Sequence, residues 1–312
     1  MLRQVLRDFL PALKAAIAAR RAQRAHRKAA DPASRANRRI VAQLDPHGFN
    51  ELKLCRSGPL LYNKFDTYIG EALSRYGEYS FGEQVLFQRL VRSGSTVVEV
   101  GANIGVHTVE LSRLVGGNGT VYAFEPQRLV FQALCANLAL NQCTNVLARQ
   151  AALGSEDGTI LVPAMDPATR TNFGGISLQG ATVGESVPVI ALDRLSLAAC
   201  HFLKADVEGM ELDVVTGAVE TIRRHRPLLY LENDRQDRSK ALIELVMSLG
   251  YDLYWHLPPI YNPQNFAGDA QNLFPNVVSV NLLCVPAEAQ IPIQGMRKVS
   301  SPSDWWQGRP AQ

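Results

Sequence analysis

Cysteine is sparse and without pattern in this 312-residue chain: Cys55, Cys135, Cys143, Cys200 and Cys284 are odd in number, and none belongs to a C-x-x-C pair. Neither a disulfide framework nor a zinc ribbon is indicated, and reduced thiols in a cytoplasmic protein are the expectation. Long apolar runs are missing too. The uncharged stretch at residues 270–287 holds three asparagines and two prolines, so no membrane span is expected there. Near the N-terminus no uncharged run is longer than residues 15–19, too short for the apolar segment of a secretory signal. An Arg-rich, acid-poor start is shared with organelle transit peptides, but their serines are lacking.

Positive charge is scarce outside one end. The net charge of +3 conceals eleven Lys/Arg against two Asp in residues 1–40, a local +9, with the remainder at −6. A nucleic-acid binder carries its basic surface on the folded part, so nucleic acid is not an expected partner. In the basic arm Leu2, Val5, Leu6, Phe9, Leu10, Leu13 and Ile17 recur at helical spacing, interrupted by Pro11. Residues 15–39 have few large apolar side chains. A solvated helical or disordered arm is expected at 1–40, and a contact with a membrane surface or a protein partner is the sharper reading of it. No pattern specifies an oligomeric state.

What is present is a β-branched run, Val97-Val98-Glu99-Val100, ending in Gly101-Ala102-Asn103-Ile104-Gly105, followed by apolar spacing at Val109, Leu111, Leu114 and Val115. This predicts strand, tight turn and helix. Glycines at 101 and 105 would let a ligand approach the backbone, and free amides at the helix start would face an anion. Glu99 inside the strand suits a cation, which favours S-adenosylmethionine over a dinucleotide. The turn also lacks the G-x-G-x-x-G of nicotinamide enzymes. A second strand, Thr120-Val121-Tyr122-Ala123-Phe124, ends in Glu125, where doubly wound folds place an acid on ribose hydroxyls.

Helices and strands are expected to alternate from there, giving an α/β fold with a mostly parallel sheet. Strands are predicted at 146–153, 159–162, 187–191, 202–206, 227–233, 251–256 and 277–285, with helices at 129–141, 211–224 and 239–249. Upstream, a hairpin around Ser57-Gly58, a helix capped by Asp66 and a capping box at Ser80 and Glu83 form an N-terminal layer at 41–94. Its aromatics, Tyr68, Tyr76, Tyr79 and Phe81, are core or a lid. The Gly-rich 169–184, containing Asn172-Phe173-Gly174-Gly175, is a candidate substrate loop. Residues 287–312, with Trp305 and Trp306, read as a loosely attached tail.

The motifs E-V-G-A-N-I-G-V-H-T at 99–108, Y-A-F-E-P at 122–126, L-K-A-D-V-E-G-M-E at 203–211 and L-E-N at 231–233 resemble the FkbM family of S-adenosylmethionine-dependent methyltransferases. The resemblance covers about residues 47–286. It implies a class I methyltransferase (Rossmann-like) domain at 95–286, with a seven-stranded sheet, helices on both faces and an antiparallel seventh strand. It further implies methyl transfer to a hydroxyl of a sugar, glycan or natural-product acceptor. Base-methylating enzymes carry N/D-P-P-Y/F after the fourth strand, where this chain has Asp206-Val207-Glu208-Gly209.

The candidate cofactor-binding residues are thus Glu99, Gly101, Asn103, Gly105, Glu125 and Asp206. An alcohol must lose its proton in such a transfer, and Asp206 and His256 are the candidate bases. Asp206, Glu232 and Asn233 also form a hard oxygen set suited to Mg²⁺, resembling the magnesium site of catechol O-methyltransferase-like enzymes. The competing reading is that Asp206 caps a helix and Glu232 binds an amide. At the level of function, the alternative is a non-catalytic protein that keeps the cofactor fold and docks through its basic arm.

Overall fold

The computed structural model describes residues 47–176 and 180–307. The chain divides into two compact units, Met1–Glu51 and Leu52–Gln312. The basic arm at 1–40 lies outside the described residues, as do residues 177–179 of the Gly-rich loop.

A hairpin, β1 (Asn50–Cys55) and β2 (Gly58–Asn63), precedes α1 (Ile69–Tyr76). Asp66 caps α1 as expected, its Oδ1 accepting from the amides of Tyr68, Ile69 and Gly70 at 2.9, 2.8 and 3.3 Å. Left-handed Gly77 ends it. The capping box expected for α2 (Phe81–Leu90) does not form. Ser80 is itself left-handed and its side chain makes no bond to the helix amides; its hydroxyl donates to Glu83 Oε1 at 2.8 Å. Both side chains are buried.

There follow β3 (Thr96–Val100), α3 (Val106–Val115), β4 (Thr120–Phe124), α4 (Arg128–Leu140), β5 (Val146–Arg149), β6 (Ala152–Leu153), β7 (Gly158–Val162) and β8 (Glu185–Ile190). The second half holds β9 (Phe202–Ala205), α5 (Glu211–Thr216), α6 (Val219–His225), β10 (Leu228–Glu232), α7 (Gln236–Ser248), β11 (Tyr251–His256), β12 (Asn281–Pro286) and β13 (Arg297–Lys298). The main sheet runs β13-β11-β12-β10-β9-β3-β4-β5. Strands β5, β4, β3, β9 and β10 are parallel, and β12 enters antiparallel between β10 and β11. This is the class I methyltransferase order, with β13 added at the edge. The sheet has eight strands instead of seven.

Two predicted elements break. The strand expected over 146–153 divides because Arg149 O accepts from both Glu125 N and Ala151 N, turning the chain at Gln150. β6 then joins a small sheet, β6-β8-β7. The helix expected over 211–224 divides at Gly217, whose missing Cβ is replaced by the Gly154 carbonyl. The Asp193 carboxylate accepts from the Glu220 and Thr221 amides and restarts the chain as α6.

The described part of the tail, residues 287–307, is firmly held, against expectation. β13 pairs with β11, Arg297 makes two 2.8 Å bonds to Asp304, and Trp305 meets Trp255 edge to face. Both Trp305 and Trp306 pack on the main core. Among the described residues no helix is long and apolar enough to cross a membrane.

One face of the sheet, including Val98, Leu203, Leu229 and Leu231, packs on Val214, Ile222, Ile243 and Val246 of the later helices. The other, with Val97, Phe202 and Tyr230, packs on Phe87, Leu111 and Val115. Each such side chain contributes roughly 1.5–3 kcal/mol on burial. Toward the carboxyl ends the second face changes character. Glu99, Lys204 and Tyr230 stand side by side in register across β3, β9 and β10.

Candidate functional site

Strand order reverses between β3 and β9, and a doubly wound sheet opens a crevice at such a point. A cavity of about 330 Å³ lies there, within the range of small-molecule sites. Among the sequence-derived candidates, Gly101, Asn103, Glu125, Asp206 and Glu232 line it, whereas Glu99, Gly105, Asn233 and His256 do not.

The glycine turn is built differently from its reading as a backbone opening for a ligand. At Gly101, with φ +77°, an added Cβ would lie 1.9 Å from the Asp206 carbonyl oxygen. At Gly105, with φ +88°, it would lie 2.7 Å from the Leu134 side chain. Protein packing fills both spaces. The turn amides are likewise satisfied within the chain. Gly101 N and Ala102 N donate to Phe124 O, Asn103 N to Glu125 Oε2, Ile104 N to Asn103 Oδ1, and Gly105 N to Ala102 O. Residues 101–105 therefore offer no nest of free N–H groups to an anion.

Glu125 joins the turn to its neighbour. Oε2 accepts from Asn103 N at 3.0 Å and Oε1 from Gln127 N at 2.9 Å, which leaves each oxygen a lone pair for a ligand donor. Burial pushes its carboxyl up to about 7. Over it runs the Gly-rich loop, anchored by Gln127 Nε2 donating to Phe173 O at 2.8 Å and by buried Phe173. Gly174 fits there because an added Cβ would come within 2.9 Å of Asn103 Nδ2. Asn172, Gly174 and Gly175 line the cavity.

The floor is charged. Lys204, 1% exposed, donates to Asp206 Oδ2 at 3.0 Å, while the Asp206 side chain is 37% exposed toward the cavity. Burial works to raise Asp206, but the Lys204 ammonium and hydrogen bonds from Lys204 and Glu232 hold it below the usual carboxylate range. Burial works to lower Lys204, and Asp206, Glu99 and Glu83 together keep it charged. Burial, then the Asp206 charge, push Glu232 well above the usual range.

Glu99 lies beside Lys204 on the neighbouring strand and does not line the cavity. Burial pushes it up to about 7, against the lowering effect of Lys204. His256 is bonded through Nδ1 to the Tyr230 hydroxyl at 2.8 Å and lies outside the cavity. Nor does the magnesium set assemble. The Asn233 amide donates to Ser239 Oγ at 2.8 Å, and the Lys204 ammonium already sits on Asp206. No group of three or more His, Cys, Asp or Glu among the described residues is arranged to hold a metal ion. The residues present do not fit Mg²⁺.

Sequence reasoning missed Lys204, Glu83, His107, Gln127 and Asn281, all of which line the cavity. Lys204 carried a signal, a lone charge between Leu203 and Ala205 in an apolar strand. Of the N-terminal aromatics, Tyr68 and Tyr79 line the cavity, Tyr76 is core, and Phe81 lies under the Arg56 guanidinium.

The comparisons with known proteins agree with the motif positions. Residues 99–253 match the family model described as the methyltransferase FkbM domain. Methyltransferase 1 of Beauveria bassiana (strain ARSEF 2860) is 30% identical, the match covering 39% of this chain and 58% of that protein. Methyltransferase sdnD of Sordaria araneosa is 31% identical, covering 41% and 62% respectively. The chain thus spans about three fifths of the length of either relative. A solved structure of methyltransferase FkbM from Methylobacillus flagellatus KT is similar at TM-score 0.41 and 21% identity, over 70% of this chain and 55% of that one. The glycine turn, the Glu125 strand end and the Asp206 strand end all lie inside the matched span, and residues 99–253 carry the FkbM methyltransferase domain.

Proposed function

We propose that the protein is an S-adenosylmethionine-dependent methyltransferase that methylates a hydroxyl of a sugar, glycan or natural-product acceptor. One observation carries the choice of cofactor: all five amides of residues 101–105 are satisfied internally, while Glu125 keeps acceptor capacity at the cavity wall. A dinucleotide needs free turn amides for its pyrophosphate. S-adenosylmethionine has no phosphate and offers two ribose hydroxyls to a carboxylate.

In this reading Glu125 holds the ribose, residues 151–153 supply an apolar wall, and the loop at 172–175 covers the site. The bound cofactor supplies an electrophilic methyl group on sulfur. The remaining task is alignment, exclusion of water and removal of the hydroxyl proton. Asp206 takes that proton, because it opens to the cavity at the strand end and Lys204 keeps it ionised. His107 lines the site as a neutral ring, since burial and the nearby Lys204 lower it to about 3.

The test is transfer of labelled methyl from S-adenosylmethionine to a panel of hydroxyl, amine and carboxylate acceptors. Label is expected in hydroxyl acceptors, with Asp206→Asn slower by roughly 10²-fold or more and still binding S-adenosylhomocysteine. Label confined to amines or carboxylates, or a wild-type rate in Asp206→Asn, would contradict the proposal.

A further inference from the structure

Beyond the glycine turn and Glu125, the cavity is lined by Glu83, Asp206, Glu208, Glu232 and Asp234. Positive charge there is fully engaged. Lys204 is held by Asp206, and Arg235 by Glu208 at 2.5 Å and Asp234 at 3.3 Å. This half of the wall is therefore acidic, and the single sulfonium of the cofactor offsets only part of the excess.

The same wall contains buried polar atoms without a hydrogen-bond partner, Glu232 Oε2, His107 Nδ1 and Asn281 Nδ2, and Glu83 Oε2 meets His107 Nε2 at 3.4 Å without a hydrogen bond. Glu83 and Asn281 are 3% and 2% exposed. Unpaired groups at such depth destabilise the empty site, and a ligand that pairs with them recovers the loss. The two carboxyl oxygens have lone pairs to accept with, and beside them Asp206 is ionised and 37% exposed, so the missing partner is chiefly a donor of hydrogen bonds.

We infer that this half of the cavity selects an acceptor that presents several O–H or N–H donors and carries no phosphate or carboxylate. The inference rests on the methyl-transfer reading and adds the charge class of the substrate. Anionic groups would meet Asp206, Glu208 and Asp234 while the Lys204 and Arg235 cations beside them are already engaged, so they would face like charge with no free cation to pair with. Glu83 comes from α2 and Asn281 from β12, both outside the matched residues 99–253. Acceptor choice is thus set in part by segments of the chain beyond the family domain.

Saturation-transfer NMR on the full chain, loaded with S-adenosylhomocysteine, tests this with methyl glucoside and glucosamine against glucuronate and glucose 6-phosphate. The first two are expected to bind at least tenfold more tightly than the last two. Glu83→Gln and, separately, Glu232→Gln should weaken the binding of glucosamine severalfold while leaving the affinity for S-adenosylhomocysteine within twofold. Equal or tighter binding of either anion would overturn the inference, as would no binding of any probe to the loaded protein or wild-type affinity in both variants. Failure of S-adenosylhomocysteine itself to bind would overturn the methyl-transfer reading first, and this inference with it.

Discussion

Lys204 Nζ donates to Asp206 Oδ2 across 3.0 Å from a position where the lysine is 1% exposed. The two residues are separated only by Ala205 at the end of β9, so both side chains leave the strand on one face. Glu99 lies alongside Lys204 on β3, and Glu83 adds a further buried carboxylate from α2. One ammonium thus balances several acids that the sheet and the N-terminal layer bring together.

Removing that ammonium should be costly for the fold. Lys204→Met is expected to destabilise the protein by about 3–5 kcal/mol, because it leaves Glu99 buried without its compensating charge. Adding Glu99→Gln should restore part of the loss, with a coupling of about 1 kcal/mol or more. Urea unfolding of the two single variants and the double variant measures this. Strict additivity would show that Glu99 and Lys204 do not stabilise one another.

Glu99 also predicts a pH signature. Burial raises its carboxyl from the ordinary 4.5 to about 7 in the folded protein, so the folded state holds a proton that the unfolded state releases within that window. The effect on stability is absent below about pH 4.5, grows as a penalty as pH rises, and is complete above about pH 7. His107, lowered to about 3, acts in the opposite sense below its ordinary 6.5. The diagnostic is therefore the difference between wild type and Glu99→Gln in cofactor-free protein. Glu99→Gln should gain stability relative to wild type as pH rises through the window, as followed by denaturation at several pH values. A constant difference would contradict the assignment.

The fold was largely legible in the sequence because β-branched runs alternate with amphipathic spacing from Val97 to Leu249. What was not legible depends on contacts between distant segments. No local pattern says that Gln150 turns the chain out of the main sheet, or that Arg297 brings the tail back onto β11. Glu125 and Asp206 were found because strand ends in this topology point at the crevice. His256 ends β11 and Asn233 follows β10, but Tyr230 and Ser239 engage them away from it. Glu83 was read as a helix cap, and only the left-handed backbone of Ser80 turns the pair inward.

The most direct test of the account is calorimetric titration of S-adenosylmethionine and S-adenosylhomocysteine into wild type and Glu125→Gln, with a nicotinamide dinucleotide as control. Wild type should bind both the sulfonium and the thioether ligand at one site per chain and ignore the dinucleotide. Glu125→Gln, which replaces an ionic acceptor of the ribose hydroxyls, should bind about tenfold or more weakly, a loss of roughly 1.5–3 kcal/mol. Binding of the dinucleotide in place of S-adenosylmethionine, or wild-type affinity in Glu125→Gln, would contradict the assignment of this cavity.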